Sequence, residues 1–403
     1  MPESPYPLLS VADALRVVLT HAAPLAPVQR PLRELAGRVL AEEVVAHAAL
    51  PPFAAAAKDG YAVVAADGAG WRRLIGEQLA GAVTDVTVVP GAVVRITTGA
   101  PLPAGADAVV MIERTVEHDE RVQITEAVTA GADVRPVGSD LAVGQTALRS
   151  GQCLGPAEVG LLASLGYTAA WVYPAPRVAV LSTGDELREP GDAVGPGQIR
   201  DSNRFSLMAA VHEAGGQTID LGVARDRPGE LTARVSAGLH GADVLVTSGG
   251  VSMGQLDLLK PLLQMHGTVH FGRVNMKPGK PLTFATIAGK PVFALPGFPV
   301  SSLVSFELFV RPALRTMQGD RNWARPRVTV QLEHDIRHDP QRWEYVRAVV
   351  RRVDGALFAA TTGSQSSGRL LSLVGANALL ELPPGTAAVM AGSPVTAMLL
   401  AAV

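Results

Sequence analysis

Apolar positions change their period several times along the chain, and each change predicts a change of structure. Between Leu8 and about Val45, Leu9, Val11, Ala14, Leu15 and Val18 recur at a spacing that puts them on one side of a helix, with Ser10 placed to cap its start. From roughly Pro51 to Val137 the pattern becomes short apolar runs broken by Gly and Pro, as in VTVVPGAVVRITTGAPLPAGADAVVMIE, which predicts a β-rich insert. GPAEVGLLASLGY, from Gly155 to Tyr167, is helical again, so the first unit resumes after that insert. YPAPR, from Tyr173 to Arg177, is stiffened by Pro174 and Pro176 and has the character of a linker.

Beyond the linker, strand-like VAVLS, TIDLGVA and DVLVTS alternate with helical NRFSLMAAVHEAG, PGELTARVSAGLHG and LDLLKPLLQMHG. Such alternation predicts a mostly parallel sheet covered on both faces. After about Gln318 the runs RVTVQLEHDI, EYVRAVVRRV and PVTAMLLAAV predict a small C-terminal β domain. The expected division is a helical linker domain at 1–46 and 139–174, the inserted β-rich domain at 47–138, an α/β domain at 175–317, and the β domain at 318–403. A chain of 403 residues exceeds what one core organises, so several domains are expected on length alone.

Composition narrows the partners. Hydrophobic residues are 48% and charged residues 18%, which suits buried cores. Lys plus Arg (35) nearly cancel Asp plus Glu (37), so neither nucleic acid nor an anionic membrane is an expected partner. The start carries an acid where a signal peptide carries bases, and no apolar run is long enough to span a bilayer. Cys153 is the only cysteine, which excludes an internal disulfide and fits a reducing compartment; it is expected as a small buried apolar residue. The expectation is a soluble, cytoplasmic protein.

Candidate chemistry gathers where ligands bind on open α/β sheets, beyond the carboxyl ends of the strands. Three loops occupy that position: STGDEL (Ser182 to Leu187), TSGGVSMGQLD (Thr247 to Asp257) and LPGFPVSS (Leu295 to Ser302). Gly249 and Gly250 allow backbone N–H groups to approach an anion, and Thr247, Ser248 and Ser252 add hydroxyls. Pro299 favours the first turn of the helix that Val300 to Leu314 predicts, whose N–H groups attract anions as well. NMKPGKPLTF holds Lys277 and Lys280 on a segment stiffened by two prolines, where they suit an oxyanion or solvent equally. Asp185, Glu186, Asp226 and Asp257 all follow strands on the same rim, as a hydrated magnesium ion bridging to substrate phosphates requires. Asp226 and Asp257 also suit a turn or a helix start.

Two competing motifs fail on context. Gly250-Val251-Ser252-Met253-Gly254 matches the nucleophile elbow of serine hydrolases, but Ser252 lies several residues past its strand rather than on the turn that ends it. His334 and His338 have a helical spacing on what is predicted to be a strand and its exit, with no third zinc ligand in view.

The blocks DGYAV, RITTGAPLPAGADAVVMIE, STGDEL, GQIRDSN, TSGGVS, MKPGKP and LPGFPVS, in this order, resemble the molybdopterin molybdenumtransferase family, which includes the gephyrin E domain. The resemblance covers nearly the whole chain. It implies a homodimer of four-domain protomers with a molybdopterin-binding α/β/α domain, a fold shared with molybdopterin adenylyltransferases. It also implies Mg²⁺ as cofactor, with molybdate and adenylylated molybdopterin as substrates and AMP as a product. Under the resemblance, Glu186, Asp226 and Asp257 are the functional acids and the metal ligands. Asp59 and Thr98 are contributed by the β insert toward the partner subunit's α/β domain. Thr183, Gly184, Asp185, Ser248, Gly249, Gly250, Ser252, Lys277, Lys280, Pro296, Gly297, Pro299 and Ser301 match the segments that bind the substrate. Arg342, Arg347 and Ser366, within RWEYVR and GSQSSGRLLS, match a segment facing the same cleft. Molybdopterin adenylyltransferase and the molybdenum enzymes are the implied partners.

The chain departs from the family pattern at several points. FAAAAKDGYAV replaces a motif close to FDNSAMDGYAV, which puts Ala54, Ala55 and Ala56 in place of polar residues and Lys58 beside Asp59. LPGFPVS has Phe298 where an amide is usual, and Gln255 stands where many relatives have an acid. A cation beside Asp59 either holds it ionised or pairs with it, and phenylalanine cannot donate the amide's hydrogen bonds. These departures leave open a non-catalytic molybdopterin-binding or scaffold paralogue, while the shared fold leaves open an adenylyltransferase.

Overall fold

A computed structural model describes residues 6–225, 227–250 and 259–403, which fall into two compact units. One unit contains the chain up to Val28 together with Tyr173–Val403, and the other is Gln29–Val172. The unit boundary falls at the start of the predicted Tyr173 to Arg177 linker.

Helix α1 (Val11–Thr20) starts where its cap predicts: Ser10 Oγ accepts the Asp13 amide at 3.0 Å and donates to the Asp13 carboxylate at 2.6 Å. Ala14 and Val18 are its buried stripe, packed into the α/β core. The helical expectation for the rest of the stretch to Val45 is corrected. Pro24, Pro27 and Pro31 stop a helix from continuing, and only short strands and a single 3₁₀ turn follow. Ser10→Ala is expected to lower the stability of this unit by about 1 kcal/mol, read as a shift in the urea midpoint at constant slope.

The Gln29–Val172 unit holds a six-stranded sheet of β1 (Gly60–Val63), β2 (Gly70–Gln78), β3 (Ala92–Ile96), β4 (Ala108–Met111), β5 (Thr115–His118) and β6 (Arg121–Ile124). Its order is β4-β1-β3-β2-β6-β5, antiparallel except between β2 and β3. Alternation sends Tyr61 and Val63 to one buried face and Ala62 to the other. Helix α2 (Pro156–Ser164) lies in the resumed helical stretch. Cys153 is exposed, contrary to expectation, on a single bridge to Val39 that leaves its side chain outside the core.

The other unit is built on a six-stranded sheet. Its elements are β7 (Arg177–Thr183), α3 (Asn203–Glu213), β8 (Gln217–Ala224), α4 (Pro228–Gly241), β9 (Val244–Ser248), α5 (Leu259–His266) and β10 (Thr268–Phe271). After the short β11 (Met276–Lys277) come β12 (Thr283–Ile287), β13 (Lys290–Leu295) and α6 (Pro299–Ser305), then a π turn and α7 (Arg311–Met317). Strand order is β8-β7-β9-β13-β12-β10, with β8, β7, β9 and β13 parallel and the last two pairings antiparallel. In β7, Val178 and Val180 pack with Leu207 and Val211 of α3, while Ala179 and Leu181 pack with Leu231 and Val235 of α4. This two-sided burial is why VAVLS is a continuous apolar run rather than an alternating one.

The chain passes from β7 to β8 on one side and then returns to β9 on the other, so a topological switch point lies between β7 and β9. Downstream, β14 (Arg327–Leu332), β15 (Trp343–Val353), β16 (Ala356–Thr361), β17 (Ala378–Leu382) and β18 (Pro394–Leu399) form a ring closed by the β15–β17 pairing. Strand β11 joins this barrel in parallel with β15, through Met276 opposite Trp343 and Lys277 opposite Glu344. No helix among the described residues is long and apolar enough to cross a membrane.

Candidate functional site

The three predicted loops meet at the switch point. Thr183 ends β7, Ser248 ends β9, and Pro296 and Gly297 follow β13, all around a cavity of about 740 Å³. Thr183 and Ser248 are buried, with Thr183 Oγ1 3.5 Å from the Ser248 carbonyl. Gly249 has φ +91° and Gly250 φ +64°, conformations that disfavour side chains. Space forbids one at Gly249, where a Cβ would stand 2.5 Å from the Thr183 carbonyl oxygen, and crowds one at Gly250, where it would press on Thr183 Oγ1 at 3.0 Å. A Cβ at Gly297 would lie 3.7 Å from Gly249 Cα, so the second and third loops adjoin.

Asn203, at the start of α3, ties these loops together: its amide donates to Ser248 Oγ and to the Gly297 carbonyl, both at 2.7 Å. Its own Oδ1 is buried and finds no partner among the described residues. Beneath it, Ser182 donates to Asp201 at 3.0 Å, and Asp201 accepts from the Arg204 backbone and guanidinium, each at 3.1 Å. Arg204 also makes bidentate contacts to Asp220 (2.6 and 2.8 Å) and Glu189 (2.7 and 2.6 Å). Burial alone would lower its pKa; the hydrogen bonds to Asp220, Glu189 and Asp201 outweigh that and hold it above the ordinary value. This network fixes the floor of the cavity. Sequence reasoning assigned none of Ser182, Asp201, Asn203 or Arg204, although the GQIRDSN block contains Asp201 and Asn203.

Of the acids, Glu186 lines the cavity with its carboxylate folded against Gly184, where a Cβ would meet Oε2 at 2.5 Å. Asp185 is exposed, and its backbone carbonyl accepts from Arg188 at 3.0 Å and Arg225 at 2.8 Å. Asp226, Ser252 and Asp257 lie outside the described residues, as does Gln255. Among the described residues no three His, Cys, Asp or Glu side chains gather as a metal site.

Gly184, Gly249, Gly250, Pro296, Gly297 and Pro299 line the cavity, whereas Ser301 is buried within α6. The anion-friendly start of α6 is partly taken, since the Val300 amide donates to the Ser367 carbonyl at 3.1 Å. That bond brings Gly368 and Leu370 onto the cavity wall. Phe298, the residue before α6, offers no side-chain cap and is 62% exposed.

Lys277 and Lys280 stand apart from the cavity lining. Lys277 is 3.0 Å from buried Glu344, so the parallel pairing of β11 and β15 commits its charge, while Lys280 is exposed. Arg342 is held by Asp339, with Nε at 2.6 Å from the carboxylate. Arg347 is buried within the barrel, donating to Ser372 Oγ at 3.2 Å and to the Ser366 carbonyl at 3.3 Å. Burial pushes its guanidinium down to about 10, against the pull of Glu344.

In the other unit, Asp59 and Thr98 meet because Asp59 precedes β1 and Thr98 follows β3, and Gly60 pairs with Ile96. The Thr98 amide donates to Asp59 Oδ1 at 2.6 Å and its hydroxyl at 2.8 Å. Those two bonds, the amide first, hold the Asp59 carboxyl below the ordinary range. Thr98, rather than the neighbouring exposed Lys58, is the partner that the structure gives Asp59. Thr98→Val is expected to raise the Asp59 pKa part of the way back, because the amide bond persists. An unchanged ¹³C carboxyl titration would show the hydroxyl to be idle. A depressed carboxyl favours the fold above its unfolded pKa, and this contribution fades as pH falls through the folded value.

Comparison with known proteins covers the chain in three blocks. Residues 9–166 match the MoeA N-terminal region (domain I and II), residues 179–316 a probable molybdopterin binding domain, and residues 329–400 the MoeA C-terminal region (domain IV). The chain is 37% identical to molybdopterin molybdenumtransferase 2 of Mycobacterium tuberculosis, over 95% of this chain and 98% of that protein. It is 39% identical to gephyrin of Dictyostelium discoideum over 98% of this chain, and spans 63% of that longer protein. Among solved structures, a molybdopterin biosynthesis moeA protein from Pyrococcus horikoshii OT3 superposes with a TM-score of 0.83 at 29% identity, covering 98% of this chain and all of that one.

Proposed function

The chain belongs to the MoeA family of molybdopterin molybdenumtransferases, and from that premise we propose that it inserts molybdenum into molybdopterin during molybdenum cofactor biosynthesis. The observation that carries the reading is the turn at Gly249 and Gly250, closed on Thr183 and adjoining Gly297 at the sheet's switch point. The Gly249 amide donates to the Leu295 carbonyl at 3.1 Å, which pins the turn to the third loop, so the phosphate donor in this reading is the Gly250 amide, with the Thr183 and Ser248 hydroxyls beside it.

The substrates in this reading are adenylylated molybdopterin and molybdate. A water oxygen bonds to phosphorus as the anhydride P–O bond breaks and AMP leaves; two Mo–S bonds form as one molybdate oxygen departs as water with the two dithiol protons, the metal staying at its oxidation state. The Gly250 amide, held in place by the bond that fixes Gly249, serves the anhydride by being oriented before charge develops on its oxygens. Glu186 would hold a magnesium ion together with substrate phosphates, a set that suits an ion usually bound by one or two carboxylates; bound there, the ion neutralises phosphate charge. Asp226 and Asp257 remain proposed companions of Glu186. Lys277 serves the oxyanion only on leaving Glu344, so we assign it a bridging role in the free protein. Asp59, Thr98, Lys280, Arg342, Arg347 and Ser366 remain part of the proposal, as do the division at residues 47–138, 175–317 and 318–403, a cytoplasmic location and a homodimer, the last checked by sedimentation.

The test is AMP release from adenylylated molybdopterin with Mg²⁺ and molybdate. Molybdate-dependent release is expected, and chelation with EDTA is expected to slow it at least about tenfold through lost charge stabilisation. No release would sink the transferase reading. The exposed Phe298 favours a second one, a cofactor-holding paralogue, which tight binding without release would support.

A further inference from the structure

A large aromatic side chain open to solvent on the wall of a cavity needs an occupant or a reason. Phe298 is 62% exposed, although it sits on the wall of the 740 Å³ cavity and immediately precedes α6. It makes no cap hydrogen bond and belongs to none of the buried cores. One side of the ring is backed closely: a Cβ at Gly368 would lie 3.6 Å from it, and the Val300 amide to Ser367 carbonyl bond fixes that neighbour.

The cavity has two characters. Thr183, Glu186, Asn203 and Ser248 give its lining polar groups, while Leu187, Ile199, Pro281, Phe298 and Leu370 give it apolar ones. A phosphate alone cannot fill 740 Å³, which lies in the range of pockets for whole organic ligands. Phe298 also stands near the turn, because it follows Gly297, which abuts Gly249. We propose that Phe298 is a stacking shelf for the planar heterocycle of a phosphorylated ligand whose phosphate lies at the Gly249–Gly250 turn. The inference rests on the transferase reading for its ligand class, a nucleotide or a pterin phosphate, and on the cavity for its geometry. An amide at this position recognises a polar edge through hydrogen bonds; a phenyl ring recognises a flat face.

The test is calorimetric binding of AMP, 6-hydroxymethylpterin phosphate and ribose 5-phosphate to the wild-type protein and to Phe298→Ala and Phe298→Trp. The ring's exposure leaves folding undisturbed, and equal melting temperatures check this. Phe298→Ala is expected to cut the preference for a ring-bearing phosphate over ribose 5-phosphate about tenfold, as loss of one stack does, with Phe298→Trp keeping it. Loss confined to AMP identifies the nucleotide as the occupant, and loss confined to the pterin phosphate identifies the pterin. An unchanged preference in Phe298→Ala, an equal loss for all three compounds, or no binding of either ring compound to the wild type overturns the shelf. Binding is read without turnover, so the shelf and the transferase reading fail separately.

Discussion

Gly249→Ala is expected to abolish AMP release and to destabilise the α/β unit by about 2–5 kcal/mol, combining left-handed backbone strain with overpacking. The two costs are separable. Gly289 also has a positive φ, +77°, but a Cβ there meets nothing within 4 Å. Gly289→Ala is therefore expected to show only the conformational cost, about 1–2 kcal/mol, with AMP release intact. At Gly249 the obstructing atom is the Thr183 carbonyl oxygen, 2.5 Å from the new carbon, and a backbone group of a central strand cannot swing aside like a side chain. Relief would part β7 from the turn after β9 and spoil the proposed phosphate cradle. Urea unfolding of both variants, with AMP release measured alongside, decides the matter; equal losses would show that the close approach to Thr183 is harmless.

Arg204→Met is the second large effect, expected to cost about 3–5 kcal/mol because it strands a buried carboxylate. Asp201 is only 2% exposed and depends on Arg204 for its charged partner, whereas Asp220 and Glu189 reach solvent and survive the loss. In the variant, Asp201 retains Ser182 and one backbone amide. An unpaired buried carboxyl holds its proton more tightly folded than unfolded, so the variant's stability falls as pH rises through that raised pKa. The deficit against wild type should accordingly shrink in acid. A deficit independent of pH would mean that lost packing, not the stranded charge, sets the cost.

The fold and the loops of the site were legible for different reasons. VAVLS and DVLVTS declare themselves as strands buried on both faces, and the Gly-Gly and Pro-Gly pairs after β9 and β13 mark turns that only a ligand or another backbone approaches closely. Ser10 marked the start of α1, yet the apolar residues up to Val45 suggested more helix than the prolines allow. Asn203 and Arg204 were invisible as site residues because polar positions in a first helical turn ordinarily face water. Their roles arise from Ser248, Gly297, Asp201 and Asp220, and from pairings no local pattern encodes. Lys277 shows the same limit: MKPGKP displays it as a cation, but its partner Glu344 is contributed by a strand of the barrel.

The closed barrel carries a consequence for the order of events in the cell. Strand β14 pairs with β18, with Arg327 opposite Met398, so the ring cannot close until the residues around 398 have left the ribosome. The sheet from β7 to β13 ends at Leu295 and is free to assemble earlier. Strand β11 must then wait for β15, and the Lys277–Glu344 bridge forms only after synthesis has passed position 344. Contacts so distant in sequence form late, so barrel closure is expected to follow assembly of the sheet from β7 to β13 in a nascent chain.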